Sequence, residues 1–340
     1  MVLLEREIKV DIEYGCIFGC VANCARYMNM DLSVVELYIY GDGISDINYT
    51  RDILSIGNPL QMEIMMAGVS KFNLALNVCQ RDANSNSINV WQEDEAYLCK
   101  DKPVIIYCES GYLDYNPYFM RNRSMNHTVL LIGIDYNNNL VRIADTYIPT
   151  QTVQTFIGTI PLSVITAARQ QQKYTSVYLD GEYIMPKISL HEKFFDSLRA
   201  YMAPKKTEGK FWGSDLVPFF LEDLSRIART IEKNKIKEIV SGIYFDIKMR
   251  GILTHRSIIG EYLSILASEF ENVANKVYKC NQCNEEIEVC WNRIMKKLIR
   301  WQATGNYQNV DEIVVLLKKI HQLDLYMVDR LNSIGKELGY

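Results

Sequence analysis

Residues 126–145 read NHTVLLIGIDYNNNLVRIAD. Thr128 to Ile134 is a run of apolar and β-branched residues, and Leu140 to Ala144 repeats the pattern. Between them lies Asp135-Tyr-Asn-Asn-Asn139, made of residues that tolerate left-handed backbone. The stretch predicts an antiparallel hairpin. His127 stands at the entry of the first strand and Asp145 at the end of the second, so the hairpin brings both to one end. A carboxylate in that position is expected to accept the imidazole Nδ1–H, holding the tautomer and steadying the imidazolium.

A His–Asp pair of this kind serves a nucleophile, and the candidate lies in Glu13-Tyr-Gly-Cys-Ile-Phe-Gly-Cys20. Small and apolar residues recur at helical spacing from Ile17 to Asn29 through Cys20, Cys24 and Tyr27. Cys16 therefore falls at the head of a helix, where free amides and the partial positive charge favour a thiolate. The same amides can hold the oxyanion of a tetrahedral intermediate. Cys20 and Cys24 read as one packed helix face. Of the four His, only His127 lies in the mixed half of the chain.

Outward from these motifs, Pro103 to Tyr107 and Ser176 to Leu179 read as strands, with Tyr183-Ile184 as a closing piece. Met62 to Lys71 reads as a helix, and Gly41 to Asn58, rich in Gly, Asp and Asn, reads as a loop. Val78, Val90 and Trp91 sit in short, ambiguous pieces. After Pro186 the texture becomes long amphipathic helices: Asp215 to Asn234, Arg256 to Lys279, Glu285 to Thr304 and Val310 to Leu338. The expected fold is α+β, with a mixed catalytic domain over 1–185 and an all-helical domain over 186–340.

The 340 residues are 48% apolar and 23% charged, with a net charge of −4, an ordinary balance for a globular protein and no pointer to nucleic acid. The charge is uneven. Residues 1–184 hold 13 basic and 21 acidic residues, whereas 185–340 hold 24 and 20. A net-positive second half suggests an acidic partner, or a solvated helical surface. The N-terminal segment lacks the pattern of a signal peptide, and no apolar run approaches a membrane span. A cytoplasmic location with no membrane partner is the expectation. Nine Cys in a reducing compartment then suit packing or catalysis more than disulfides.

Residues Gly15 to Asn29 resemble the nucleophile helix of the bacteriocin-processing papain-like cysteine peptidases. His127 to Asp135 followed by Ile143-Ala-Asp145 resembles their His and Asp segments. The whole plan is similar to the butirosin biosynthesis protein H family, in which a papain-like domain precedes a helical domain of about this size. Arg256-Ser-Ile-Ile-Gly-Glu-Tyr-Leu-Ser-Ile-Leu266 and the Trp291 helix resemble segments of that second domain. The resemblance implies a papain-like first domain. It also implies acyl transfer from an acyl or peptidyl carrier-protein thioester to a small amine, in the making of an antibiotic or similar specialised metabolite. No cofactor or metal is expected, phosphopantetheine entering only on the carrier substrate. A peptidase or thioesterase with the same Cys16–His127–Asp145 triad, or a carrier-binding scaffold, are the alternatives. The chain departs from the peptidases in having no Gln several residues before the Cys, where the sequence runs Lys9-Val-Asp-Ile12, and from the butirosin family in having Gly15 where a His precedes the Cys. The second oxyanion donor is thus unassigned, and an ionised Asp11 is unsuited to it.

Three further features are weighed. Tyr112 and Tyr115, on a loop expected over Tyr112 to Arg123, either line an acyl pocket or pack under the loop. Lys205, Lys206 and Lys210, with Lys233, Lys235 and Lys237, are candidates for docking an acidic carrier protein. Cys280-x-x-Cys283 has half the spacing of a zinc site, but with no second pair it reads as helix core, or as a turn at Asn281 to Asn284.

Overall fold

The computed structural model describes residues 1–58, 61–81, 87–121, 125–150, 152–203, 205–249 and 251–340. It is mixed α+β, 56% helix and 18% strand, with a C-terminal helical region. The first elements are β1 (Val2–Leu3), α1 (Cys16–Tyr27), α2 (Val34–Tyr40), β2 (Asn48–Thr50), β3 (Ser55–Gly57), α3 (Gln61–Lys71), β4 (Leu74–Cys79) and α4 (Ser87–Leu98). There follow β5 (Val104–Glu109), α5 (Pro117–Arg121), β6 (Asn126–Asp135), β7 (Leu140–Ile148), β8 (Gln154–Pro161), α6 (Leu162–Gln170) and β9 (Ser176–Gly181). The remainder is α7 (Leu190–Met202), β10 (Lys206–Thr207), β11 (Lys210–Trp212), α8 (Leu216–Thr230), α9 (Ile236–Met249), α10 (Ile252–Glu269), α11 (Ala274–Thr304) and α12 (Gln308–Leu338). Among the described residues no helix is long and apolar enough to cross a membrane.

The chain forms two compact units. The first comprises Met1–Leu37 and Met65–Met185, the second Tyr38–Ile64 and Pro186–Tyr340. A division of the chain into 1–185 and 186–340 is therefore corrected in one respect: Tyr38–Ile64 joins the C-terminal part. The reason is long-range strand pairing. β2 pairs with β11 (Tyr49 opposite Phe211) and with β3 (Tyr49 opposite Ile56), in a sheet ordered β10-β11-β2-β3. The segment expected as loop, Gly41 to Asn58, thus contains two strands. It is also held by side chains. Asp246 Oδ2 accepts from Ile56 N at 3.1 Å, and Asp223 Oδ2 accepts from Tyr49 Oη at 3.0 Å and Arg51 Nε at 2.7 Å.

In the first unit, antiparallel strands run in the order β4-β9-β5-β6-β7-β8, with β1 added to β6. Apolar side chains of β5, β6 and β7, among them Val104, Ile106, Val129, Leu131 and Ile143, pack with Trp91, Phe119 and Ile165 into one core. Helix α1 is buried on nearly every side, from Ile17 to Ala25, as a helix apolar all round must be. Its approach to β7 depends on Gly19: a Cβ there would stand 2.4 Å from Thr146 Oγ1 and 2.9 Å from Thr146 Cβ. Asn23, the one amide in this helix, is buried and fully used. Its Nδ2 donates to Gly19 O (2.8 Å) and Asp11 O (3.2 Å), and its Oδ1 accepts from Asp11 N (2.9 Å). That straps the strand-free segment before Cys16 onto the helix.

In the second unit α11 and α12, each of 31 residues, form an antiparallel hairpin turned at Gly305, whose φ of 67° suits glycine. Ion pairs Lys276–Glu337, Lys319–Glu286 and Lys297–Glu312 cross the seam. The turn expected at Asn281 to Asn284 does not occur. Cys280, Asn284 and Ile287 are buried along one face of an unbroken α11, which needs no interruption to pack. β8 and the helices α6, α7 and α9 are not among the elements expected from the sequence and emerge in the structure. Tyr183-Ile184 lies beyond β9, outside the sheet.

Candidate active site

Cys16 is the first residue of α1, preceded by Gly15, with no side chain capping the helix. The partial positive charge of the helix head therefore falls at Cys16. His127 and Asp145 come from β6 and β7. The ladder between these strands pairs Leu130 with Ala144 and Leu131 with Ile143, which sets both residues at one end. His127 Nε2 lies 2.9 Å from Asp145 Oδ2, and both side chains are buried. The ring is turned opposite to expectation: Nε2 meets the carboxylate, which leaves Nδ1 for the nucleophile. Cys16 completes the chain by hydrogen bonding to His127.

Asp145 is held from two more sides. Its Oδ2 accepts from Tyr115 Oη at 2.6 Å and its Oδ1 from Tyr147 N at 3.0 Å. The Tyr115 ring stacks on Phe156, with centroids 4.2 Å apart, and Phe119 covers the imidazole at 5.0 Å. Buried in this aromatic wall, the His–Asp pair is shielded from water, which strengthens its electrostatics. Tyr115, expected as pocket lining, thus spends its hydroxyl on Asp145. Tyr112 sits in a 3-10 turn, Ser110–Tyr112, with its side chain exposed. α5 interrupts the loop expected over Tyr112 to Arg123, and Arg123 itself lies outside the described residues.

The electrostatics follow from these contacts. Burial alone pushes the Cys16 thiol up, but the hydrogen bond and positive charge of His127, with Thr128 nearby, more than reverse this and leave its pKa lowered. Burial alone would lower His127, yet the charge and hydrogen bond of Asp145, aided by Cys16, raise it to about 10. Both shifts favour a thiolate paired with an imidazolium. Burial and the Asp145 charge raise Tyr115 well above the usual phenol range, so it stays a donor. Cys20 and Cys24 are fully buried. Burial raises Cys20 strongly and pushes Cys24 up to about 12. Neither thiol competes with Cys16.

Four further neighbours adjoin the site. Tyr107 on β5 and Tyr147 on β7 lie close enough to feel the charge of Cys16. Burial and that charge raise both phenols, Tyr147 to about 12. Thr146 Oγ1 donates to Cys16 O at 3.4 Å. Thr128, next to His127, faces the sulfur. Alternation along the two strands was the available signal for the last two. Asp11 is not an oxyanion donor: its carboxylate pairs with Arg26 at 3.1 Å.

Elsewhere, the ammonium groups of Lys205 and Lys210 each lie 4.9 Å from the centre of the Trp212 ring, while the side chain of Lys206 lies outside the described residues. Cys280 and Cys283 lie on α11, the first buried and the second half-buried.

No protein-family model matches the chain, and no curated protein matches it.

Proposed function

We propose that this protein is a cysteine enzyme of acyl transfer, with Cys16 as nucleophile, His127 as proton carrier and Asp145 as the group that holds His127. The observation supporting this most directly is the continuous chain from Cys16 through the buried His127 to Asp145, whose Oδ2 stands 2.9 Å from the ring. Each position suits its role. A thiolate at a helix head attacks a carbonyl, and the adjacent imidazolium protonates the leaving group. The oxyanion formed on attack would be met by the positive end of α1, at whose head Cys16 stands. Collapse breaks the acyl–leaving-group bond and leaves a thioester on Cys16. In the second half His127, now neutral, takes a proton from the incoming nucleophile as it attacks, and the thiolate leaves.

The donor we assign is a thioester on an acyl or peptidyl carrier protein, and the acceptor a small amine, as the resemblance of the motifs implies. Phosphopantetheine would then belong to the substrate. Water in place of the amine would make the same machinery a thioesterase or peptidase. A papain-like identity for the first unit fits a cysteine-bearing helix laid on an antiparallel sheet. Lys205 and Lys210, beside Trp212 on the second unit, are the cations we assign to docking the acidic carrier.

Intact-mass spectrometry after incubation with acyl-loaded carrier proteins tests the reading. An acyl adduct on wild type that is missing from Cys16→Ala supports it. No adduct across a panel of carriers and acyl groups, with both proteins folded, argues for a peptidase or a scaffold.

A further inference from the structure

Thr128 follows His127 on β6, so strand alternation sends the two side chains to opposite faces of the sheet. His127 turns toward Asp145 and Phe119. Thr128 turns to the other face, where α1 packs on β6 and carries Cys16 and Cys20 one helical turn apart. Continuing the β6–β7 register, Leu130 opposite Ala144, by two residues sets Thr128 beside Thr146. Two hydroxyls therefore lie under the first turn of α1, and they are used differently. Thr146 Oγ1 donates to Cys16 O at 3.4 Å and stands 3.8 Å from Cys20 Sγ. Thr128 is 1% exposed, and its Oγ1 has no hydrogen-bond partner.

A buried hydroxyl without a partner is costly, and a site that keeps one calls for an explanation. A neutral thiol is a weak acceptor, whereas a thiolate is a strong one. The hydroxyl that goes unsatisfied beside Cys16–SH gains a charge-assisted bond once the proton has moved to His127.

We propose that Thr128 donates its hydroxyl hydrogen to the Cys16 thiolate, holding the sulfur ionised and aimed between the helix head and His127. The lowered pKa of Cys16, to which both the hydroxyl and the amide of Thr128 contribute, agrees with this. The other titratable groups that act on the sulfur are His127 on β6, Tyr147 on β7, Tyr107 on β5 and Cys20 on α1, with Asp145 acting through His127. Burial holds Cys20 and both phenols neutral through the physiological range. The inference rests on Cys16 being the nucleophile.

Alkylation by iodoacetamide tests it without a substrate. The rate at Cys16 is followed from pH 4 to pH 10 by peptide mass mapping, with exposed Cys99 as internal reference and Cys16→Ala as blank. Thr128→Val keeps the shape and removes the hydroxyl; Thr128→Ser keeps the hydroxyl. The expected result is a midpoint raised by about one pH unit in Thr128→Val, a roughly tenfold slower reaction on the acid limb, with Thr128→Ser near wild type and thermal stability unchanged in both. If Thr128→Val fails to fold, Thr128→Ala gives the same comparison. A Thr128→Val profile that overlays wild type overturns the inference and leaves the nucleophile standing. A wild-type Cys16 that titrates with Cys99 overturns the nucleophile reading, and this inference with it.

Discussion

The hydroxyl of Tyr115 donates to Asp145 Oδ2 at 2.6 Å, the same oxygen that lies 2.9 Å from His127 Nε2. The carboxylate's charge is thereby shared between a neutral donor and the imidazolium. Tyr115→Phe keeps the stack on Phe156 and removes one donor. Charge then concentrates toward His127, so its imidazolium midpoint, followed by NMR, should rise from about 10. Stability should fall by about 1–2 kcal/mol in urea unfolding. A midpoint that moves down would contradict this sharing.

Asp145→Asn removes the charge that holds the imidazolium against burial. His127 should then titrate below the usual imidazole range, and the Cys16 thiol should rise with the loss of its cation. Turnover on any thioester should drop on the order of 10³- to 10⁴-fold, the scale seen when a triad loses its carboxylate. A drop under tenfold would remove Asp145 from the machinery.

Gly19 is set by one neighbour, Thr146. An added Cβ meets Thr146 Oγ1 at 2.4 Å, so Gly19→Ala should lift the start of α1 and cost about 1–3 kcal/mol. Thr146→Ala removes Oγ1 and leaves Cβ at 2.9 Å, so the double variant should recover part of that loss. Additive losses in the two single variants would show that the approach of α1 to β7 is not what requires glycine.

The pH dependence of stability follows from the signs of two shifts. His127 is raised from about 6.5 unfolded to about 10 folded; its contribution is full below 6.5 and lost as pH rises through 10. Cys16 is lowered from about 8.5 unfolded; its contribution is full above 8.5 and lost as pH falls through its folded value. The two slopes oppose and cancel from the folded value of Cys16 up to about 8.5. The stability difference between wild type and the Cys16→Ala/His127→Ala double variant should therefore be flat over that stretch and shrink above it, as pH rises toward 10. A maximum at about pH 10 would refute the ion pair.

In the second unit Arg256 Nη1 on α10 lies 2.8 Å from Asp324 Oδ1 on α12, and Tyr201 on α7 donates to the same carboxylate. All three are buried. Asp324→Ala strands a buried guanidinium and should cost about 3–5 kcal/mol, whereas Arg256→Met with Asp324→Leu should be nearly neutral. Chemical denaturation of the three proteins measures this directly.

Much of the first unit was legible because its signals are local. The hairpin of residues 126–145 states its own register through two apolar runs and an Asp/Asn turn, so the meeting of His127 with Asp145 follows from residues less than twenty apart. Cys16 is likewise read from its neighbours, a glycine before it and a helical period after it. β8 was missed because its exposed edge residues carry no alternation, and α6 because it begins directly where that strand ends.

The amino-acid sequence by itself determined the α+β class, the helical C-terminal region, the helix head at Cys16 and the hairpin that pairs His127 with Asp145. Each rests on periodicity within a short window, which chain connectivity enforces. Tertiary structure alone decided that Tyr38–Ile64 belongs with the C-terminal residues, that Nε2 faces Asp145, that Tyr115 supports the carboxylate and that the Thr128 hydroxyl is buried without a partner. Strands of three residues have no period to read. A ring orientation or a hydroxyl's partner depends on which distant surfaces pack against it, and that is settled only when long-range strand pairing and the seating of α1 close the core.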